Sequence, residues 1–270
     1  MSGTDDDGLI SEIRSPRFRR FFAGYAGRLI SRRFHGVRLL RGSRTVMESL
    51  ASARTPAIAL FTHASWWDPL AGLMLWNRFL PDRDVFLPME RDQLQRFKFF
   101  RRLGTFGIDP DDPVSLELMR DHVLHRFADR PESLLGLTPQ GRFTDPRTPI
   151  RLRPGAAAIA AAVPGTPTVV TVAIEYVFWQ DARPEMLVAV EACDPPTVDT
   201  TAGWHRRMSE AFTATTERLS SAAIERDPDV FELVAGGAAR INPVMDAWLR
   251  LRGKQGGIGA TRRGPSEAAG

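Results

Sequence analysis

Apolar positions along this chain alternate between two rhythms. The runs Ala57–Phe61, Asp84–Met89, Ser133–Leu137, Thr168–Ile174 and Met186–Glu191 have the length and continuity of buried strands, and Val37–Leu40 and Gly104–Asp109 read as shorter ones. Between them the apolar residues recur at helical spacing, over Val46–Ala53, Leu70–Phe79, Arg91–Leu103, Val114–Ala128, Ala156–Val163, Thr201–Ile224 and Ala239–Leu251. Gly42, Thr55-Pro56, Pro81-Asp82 and Gly236-Gly237 punctuate the pattern. Alternation of this kind predicts an α/β domain with a mixed, largely parallel sheet flanked by helices. In such sheets ligands gather at the loops beyond the strand ends, which is where His63, Asp68, Gln140 and Arg142 fall.

The first helix predicted, over residues 15–34, differs from the others. Phe18, Phe22, Tyr25 and Leu29 line up at helical spacing, with Phe21 and Ile30 beside them and Arg17, Arg19, Arg20, Arg28, Arg32 and Arg33 around them. The net charge of +4 hides this asymmetry: from Arg14 to Arg44 there are ten arginines and no acidic residue. Such a segment seeks phosphate, in nucleic acid or on anionic lipid. An aromatic face ringed by Phe18, Phe22, Tyr25, Arg19, Arg20, Arg32 and Arg33 suits a helix lying in a membrane interface. The competing reading packs the same face on the protein's own core. No nucleic-acid recognition motif accompanies the basic stretch, so no nucleic-acid partner is expected.

At 270 residues the chain is long enough for one domain with a substantial core. The pattern divides it into an acidic, disordered start (1–14), the basic amphipathic region (15–45), a catalytic domain (46–252) and a disordered basic tail (253–270). No apolar run is long enough to cross a bilayer, and Met1-Ser2-Gly3-Thr4-Asp5-Asp6-Asp7 is acidic where a signal peptide is basic. The expected location is therefore cytoplasmic, peripheral on the inner face of the membrane. Cys193 has no partner for an internal disulfide and reads as a half-buried bystander. No Cys/His cluster has metal-ligand spacing, and no metal or cofactor is expected.

Candidate chemistry concentrates after the run Ala57–Phe61, in Thr62-His63-Ala64-Ser65-Trp66-Trp67-Asp68-Pro69. A strand end fixes the backbone of His63. A tight turn can bring the Asp68 carboxylate back to one ring nitrogen, orienting the imidazole and leaving the other nitrogen to take a proton from a hydroxyl. Ser65 offers a second enzymatic reading, a serine hydrolase, although the Gly-x-Ser-x-Gly elbow is missing. A second strand runs into Thr138-Pro139-Gln140-Gly141-Arg142-Phe143, where a glycine, an amide and a guanidinium share one turn. Arg151 and Arg153 precede the alanine-rich helix, whose N-terminus suits an anion. His122 and His125 are expected in solvent or polar surroundings, without a role.

Taken together, these blocks resemble the PlsC-like glycerolipid and lysophospholipid acyltransferase family. His63-x-x-x-x-Asp68 is similar to its first motif and Met89–Asp109 to its second region. Thr138-Pro139-Gln140-Gly141-Arg142 is similar to its third motif, and Leu152–Ala157 and Pro167–Val172 to the stretches that follow. Thr62 stands where the family usually has Asn, Gln140 where it has Glu, Asp109-Pro110 where it has an arginine, and Thr171 where it has Pro. The resemblance implies transfer of a fatty acyl group from acyl-CoA or acyl carrier protein to a hydroxyl of a lipid or glycerol-like acceptor. His63 would be the general base, oriented by Asp68, with Gln140, Gly141, Arg142 and Arg153 on the acceptor side. A non-catalytic lipid-binding relative is the alternative from another class.

Overall fold

The structure, a computed structural model, describes residues 9–13 and 15–236. The acidic start, apart from Leu9–Ile13, the Ala239–Leu251 helix and the basic tail expected from the sequence lie outside the described residues.

The elements are α1 (Pro16–Arg33), β1 (Gly36–Leu40), α2 (Ser43–Ser52), β2 (Ala57–Phe61), α3 (Asp68–Phe79), β3 (Val85–Glu90), α4 (Arg91–Arg96), β4 (Thr105–Ile108), α5 (Pro113–Asp129), β5 (Leu134–Leu137), α6 (Gly155–Ala162), β6 (Thr168–Val177), β7 (Glu185–Cys193), α7 (Thr201–Glu225) and β8 (Phe231–Gly236). The strands form one sheet in the order β4-β3-β5-β2-β6-β7-β1-β8. β4, β3, β5, β2 and β6 run parallel; β7 turns back against β6, β1 follows β7, and β8 closes the edge antiparallel to β1. β1, assigned from sequence to the N-terminal region, is thus an inner strand of the main sheet.

Helices cover both faces, as the near-continuous apolar strands require. On β2 the alternation separates the two cores. Ala57 and Ala59 face α1, α2 and α3, while Ile58 and Leu60 face α5 and α6. The large residues make a dense core on the second side. The small ones leave room on the first.

Three elements depart from the sequence reading. The helix expected over 91–103 breaks at Phe97 into α4 and a 3-10 turn, Lys98–Leu103, that ends on Gly104 at φ +99°. A Cβ at Gly104 would come within 2.6 Å of the Val85 carbonyl, so this tight return needs glycine. β8 was not expected. Its burial alternates with exposed positions, and its mixed Glu232-Leu233-Val234 composition suits an edge strand. Finally, His122 does not sit in purely polar surroundings. Its ring packs 4.8 Å from that of Phe106, with Nε2 3.1 Å from Glu12, whereas His125 is exposed as expected.

α1 packs one face on the protein's own core and leaves part of its aromatic stripe at the surface. Its buried face is Ala23, Ala26 and Ile30, which packs on α3. The aromatic stripe lies about 100° around the helix from that face, the rotation of a single residue. Phe21 and Tyr25 are exposed at 71% and 50%, and Phe18 and Phe22 are half-buried. Small side chains, not the large ones, let α1 approach α3 closely. Arg19 belongs to the inner side as well: its guanidinium lies 4.0 Å over the Trp76 ring and 3.6 Å from Asp84. It is not an outward-facing arginine, as its place in the basic ring had suggested.

Candidate active site

β2 and β5 are neighbours in the sheet, with Leu60 paired to Leu137. The loops that leave their carboxyl ends, 62–67 and 138–144, therefore meet at one edge. Thr62 secures the first loop. Its amide donates to the Val172 carbonyl and its hydroxyl accepts from the Ile174 amide, which clamps the end of β2 to β6 just before His63.

Asp68 opens α3 and is 3% exposed. Four donors converge on its carboxylate. The amides of Ala64 and Ser65 each donate to Oδ2 at 2.8 Å, His63 Nδ1 lies 3.3 Å from the same oxygen, and Tyr176 Oη donates to Oδ1 at 2.5 Å. This fills the acceptor capacity of a carboxylate, at a helix N-terminus that favours negative charge. With Nδ1–H held by Asp68, the neutral imidazole carries its lone pair on Nε2. The sequence-predicted pair is thus brought together, and His63 and Asp68 both line the principal cavity.

Tyr176 was not anticipated from the sequence. Burial, and then the charge of Asp68, push its hydroxyl far above the ordinary tyrosine range, so it stays protonated and donates. A faint signal existed: it is one of only two tyrosines, placed near the end of a mostly apolar strand, where a buried ring needs a partner for its hydroxyl.

Ser65 is turned to the loop. Its hydroxyl accepts from the Trp67 amide at 3.3 Å and forms no hydrogen bond with His63. The amides of Ala64, Ser65 and Asp68 are likewise committed within the turn. They are not available to a substrate oxyanion.

The second loop reaches the first through residues that the sequence reading passed over. The Thr144 amide donates to the His63 carbonyl at 2.7 Å, and the Phe143 ring stacks on the imidazole at 4.1 Å between centroids. Trp66 lies beside Phe143, and both are about half exposed. Gln140 is half-buried and Arg142 exposed, and neither side chain has a hydrogen-bonding partner among the described residues, although the Arg142 carbonyl accepts from the Thr144 hydroxyl at 3.2 Å. Gly141 sits at φ +69° with Arg153 directly beneath it, so a Cβ there would lie 2.7 Å from Arg153 Nε. Arg153 also braces the loop that carries the third motif. Its guanidinium donates to the Pro110 carbonyl at 2.6 Å and to Asp111 at 3.1 Å.

Behind His63 an apolar cavity of about 160 Å³ runs between the sheet and the α1–α3 layer. Ala59, Gly136 and Gly72, small residues on β2, β5 and α3, line it together with Phe61, Leu87, Val170 and Val172. Its wall reaches down to Val85 and Leu134, which are level with Ala57 in the sheet register. From there to His63 is roughly 20 Å along β2 at ~3.3 Å per residue. Phe22 and Phe100 belong to the cavity wall and also to the aromatic cluster on the surface, where Phe22 contacts Tyr25 and Phe99 at 5.6 and 5.5 Å.

No group of His, Cys, Asp and Glu residues among those described could hold a metal ion. Burial raises the Cys193 thiol to about 11 and leaves it inert at neutral pH.

A His/Asp pair at the carboxyl edge of a mixed α/β sheet, opening on an apolar cavity, defines the class of arrangement. Among solved structures, the fold is similar to that of the 1-acyl-sn-glycerophosphate (LPA) acyltransferase PlsC from Thermotoga maritima, with a TM-score of 0.53 at 13% identity, covering 75% of this chain and 80% of that one. The acyltransferase family model matches residues 37–175, just over half of the 270 residues, and the chain belongs to that family. No curated protein matches it. The matched span takes in both loops of the site and ends one residue before Tyr176.

Proposed function

We propose that this acyltransferase moves a long fatty acyl group from a thioester, acyl-CoA or acyl carrier protein, to a hydroxyl of a lysophospholipid or another glycerol-based acceptor. The observation that carries the reading is the His63–Asp68 pair at the mouth of an apolar slot roughly 20 Å deep, the length of a long acyl chain. The name of the similar Thermotoga maritima enzyme supports a glycerophosphate-type acceptor. His63 Nε2 takes the proton of the acceptor hydroxyl as its oxygen attacks the thioester carbonyl. The tetrahedral intermediate collapses, the C–S bond breaks, and the thiolate takes the proton back from the imidazolium. The amides of Arg142 and Phe143 have no partner among the described residues and lie on the loop over His63. In this reading they donate to the oxyanion. Arg142, exposed and uncommitted, is placed to meet the acceptor's phosphate, while Arg153 holds the loop beneath it. Mass spectrometry of lipids formed by the purified protein from acyl-CoA and a panel of lysolipids and glycerol phosphates tests the reading. A new acyl ester on one acceptor is expected; unchanged acceptors across the panel would sink it.

The slot makes its own prediction. A Cβ at Gly136 would meet Phe61 and Leu87 at 3.7 and 3.8 Å, ordinary contact, and the further methyl groups of Gly136→Val would take up space in the cavity that Gly136 lines. Each misplaced methylene in an apolar pocket costs about tenfold or more in discrimination. Gly136→Val is therefore expected to lower kcat/KM for long-chain acyl-CoA at least about tenfold while short-chain donors are little affected. Equal losses for all chain lengths would remove the acyl chain from this cavity.

Membrane docking through α1 is part of the same reading. No helix among the described residues is long and apolar enough to cross a membrane. Phe21, Tyr25 and Phe99 are exposed, the neighbouring Phe22 and Phe100 line the cavity, and Arg17, Arg20, Arg28, Arg32 and Arg33 are exposed around them. An anionic lipid surface, such as the inner face of the membrane, matches this chemistry and offers acyl chains a direct path to the slot. Each arginine near such a surface contributes about 1 kcal/mol. Changing those five arginines to Gln should lower the partition coefficient onto anionic vesicles by about a hundredfold or more and leave folding intact. Identical partitioning of the variant and the wild type would count against docking by α1.

A further inference from the structure

We propose that Tyr176 is a positioning residue for acyl transfer: by holding the free oxygen of Asp68 it fixes the carboxylate, and through it the ring of His63, without touching substrate. The inference rests on the reading of His63 as the general base.

The sheet explains how a residue 108 positions away reaches the pair. β2 ends at Phe61, whose partner on β6 is Val172. β6 continues five residues further, to Val177, because β7 still pairs with it there, Tyr176 opposite Met186. This overhang carries Tyr176 past the end of β2 and alongside the turn that leads into α3. Strand alternation then sets its direction. Val170, Val172 and Ile174 belong to the core on the α1–α3 side, and Tyr176 packs against that core.

The two oxygens of Asp68 have separate duties. Oδ2 takes His63 Nδ1 and the amides of Ala64 and Ser65, and those amides hold it to the turn. Among the described residues, Oδ1 takes only Tyr176. Without that hydroxyl, Oδ1 would be a buried acceptor with no partner, and the carboxylate could turn about its Cβ–Cγ bond away from the imidazole. The tyrosine is itself held firmly. Phe34, at the end of α1, lies 5.7 Å from its ring and packs edge-on against Trp67 at 5.0 Å. Tyr176 forms no part of the cavity wall. An effect on chemistry with little effect on substrate binding is what this placement implies.

Tyr176→Phe in the full chain keeps the ring and deletes the hydroxyl. Steady-state kinetics, normalised to folded protein by near-ultraviolet circular dichroism, should show kcat lower by about tenfold or more, the scale for loss of a hydrogen bond to a charged group. Donor and acceptor KM should stay within about twofold of wild type, as for loss of an interaction that does not bind substrate. In an Asp68→Ala background the same change should add less than about twofold, because the carboxylate through which Tyr176 acts is gone. Wild-type kcat in Tyr176→Phe, a rise in KM at unchanged kcat, or multiplicative losses in the double variant would each overturn the proposal. Those results leave the His63 reading standing if His63→Ala is inactive; turnover in folded His63→Ala would instead remove the reading on which the proposal rests.

Discussion

His63→Ala is expected to lower acyl transfer by a factor of about 10²–10⁴, the range for loss of a general base, in a protein that remains folded. The side chain is part-exposed at the cavity mouth, and its removal takes away one hydrogen bond to Asp68 and one ring contact with Phe143. Neither is a core contact, so circular dichroism should be unchanged. Asp68→Ala is expected to cost about 10² or more in turnover, as His63 loses the group that sets its tautomer. It should also lower stability by about 1–3 kcal/mol, because Ala64 N–H, Ser65 N–H and Tyr176 Oη all lose their acceptor. The two variants thus separate a chemical role from a mixed one. Undiminished turnover in folded His63→Ala would end the general-base mechanism.

Arg83→Met should lower stability markedly without touching the reacting groups. Arg83 is 3% exposed and its guanidinium is spent on main-chain carbonyls: Leu50 at 2.7 Å, Ala53 at 2.6 Å, Thr55 at 2.9 Å and Ser133 at 3.4 Å. The first two are orphan carbonyls at the end of α2, the third precedes β2 and the last precedes β5. One side chain therefore ties a helix terminus to the start of the two strands that carry the site. Burial pulls the guanidinium below its ordinary range, yet it stays charged at neutral pH. Methionine restores the volume but none of the donors. Several buried acceptors left without partners cost about 1–3 kcal/mol each, offset in part by relief of the buried charge. A net loss of about 3 kcal/mol is expected, read as a lower urea midpoint of tryptophan fluorescence. A midpoint equal to wild type would show that these carbonyls are satisfied in another way.

The sequence made the strands legible wherever burial on both faces left continuous apolar runs; β2 begins and ends as expected, at Ala57 and Phe61. It made the His63–Asp68 pair legible because a strand end and a helix start bracket it within a few residues. Tyr176 was hidden because its contact depends on β6 overhanging β2, a property of the sheet rather than of local sequence. Phe143 was hidden in the same way, since only the adjacency of β2 and β5 places it on the imidazole. On α1 the large aromatic side chains drew attention, whereas Ala23 and Ala26 make the buried contact. The contacts of Arg153 with Pro110 and Asp111 were not legible either, because they join segments more than forty residues apart. The cavity was written into the sequence in an unexpected form, as small residues on three elements, Ala59, Gly72 and Gly136.

The central claim is direct transfer of an acyl group to an acceptor hydroxyl, with Ser65 held out of the chemistry by the Trp67 amide. Release of free CoA from a long-chain acyl-CoA, followed with a thiol reagent in the presence and absence of acceptor, tests it most directly. The account predicts that CoA appears only with acceptor, one thiol for each ester formed, and that Ser65→Ala leaves the rate unchanged. CoA released at the same rate without acceptor, together with free fatty acid and abolished by Ser65→Ala, would contradict it.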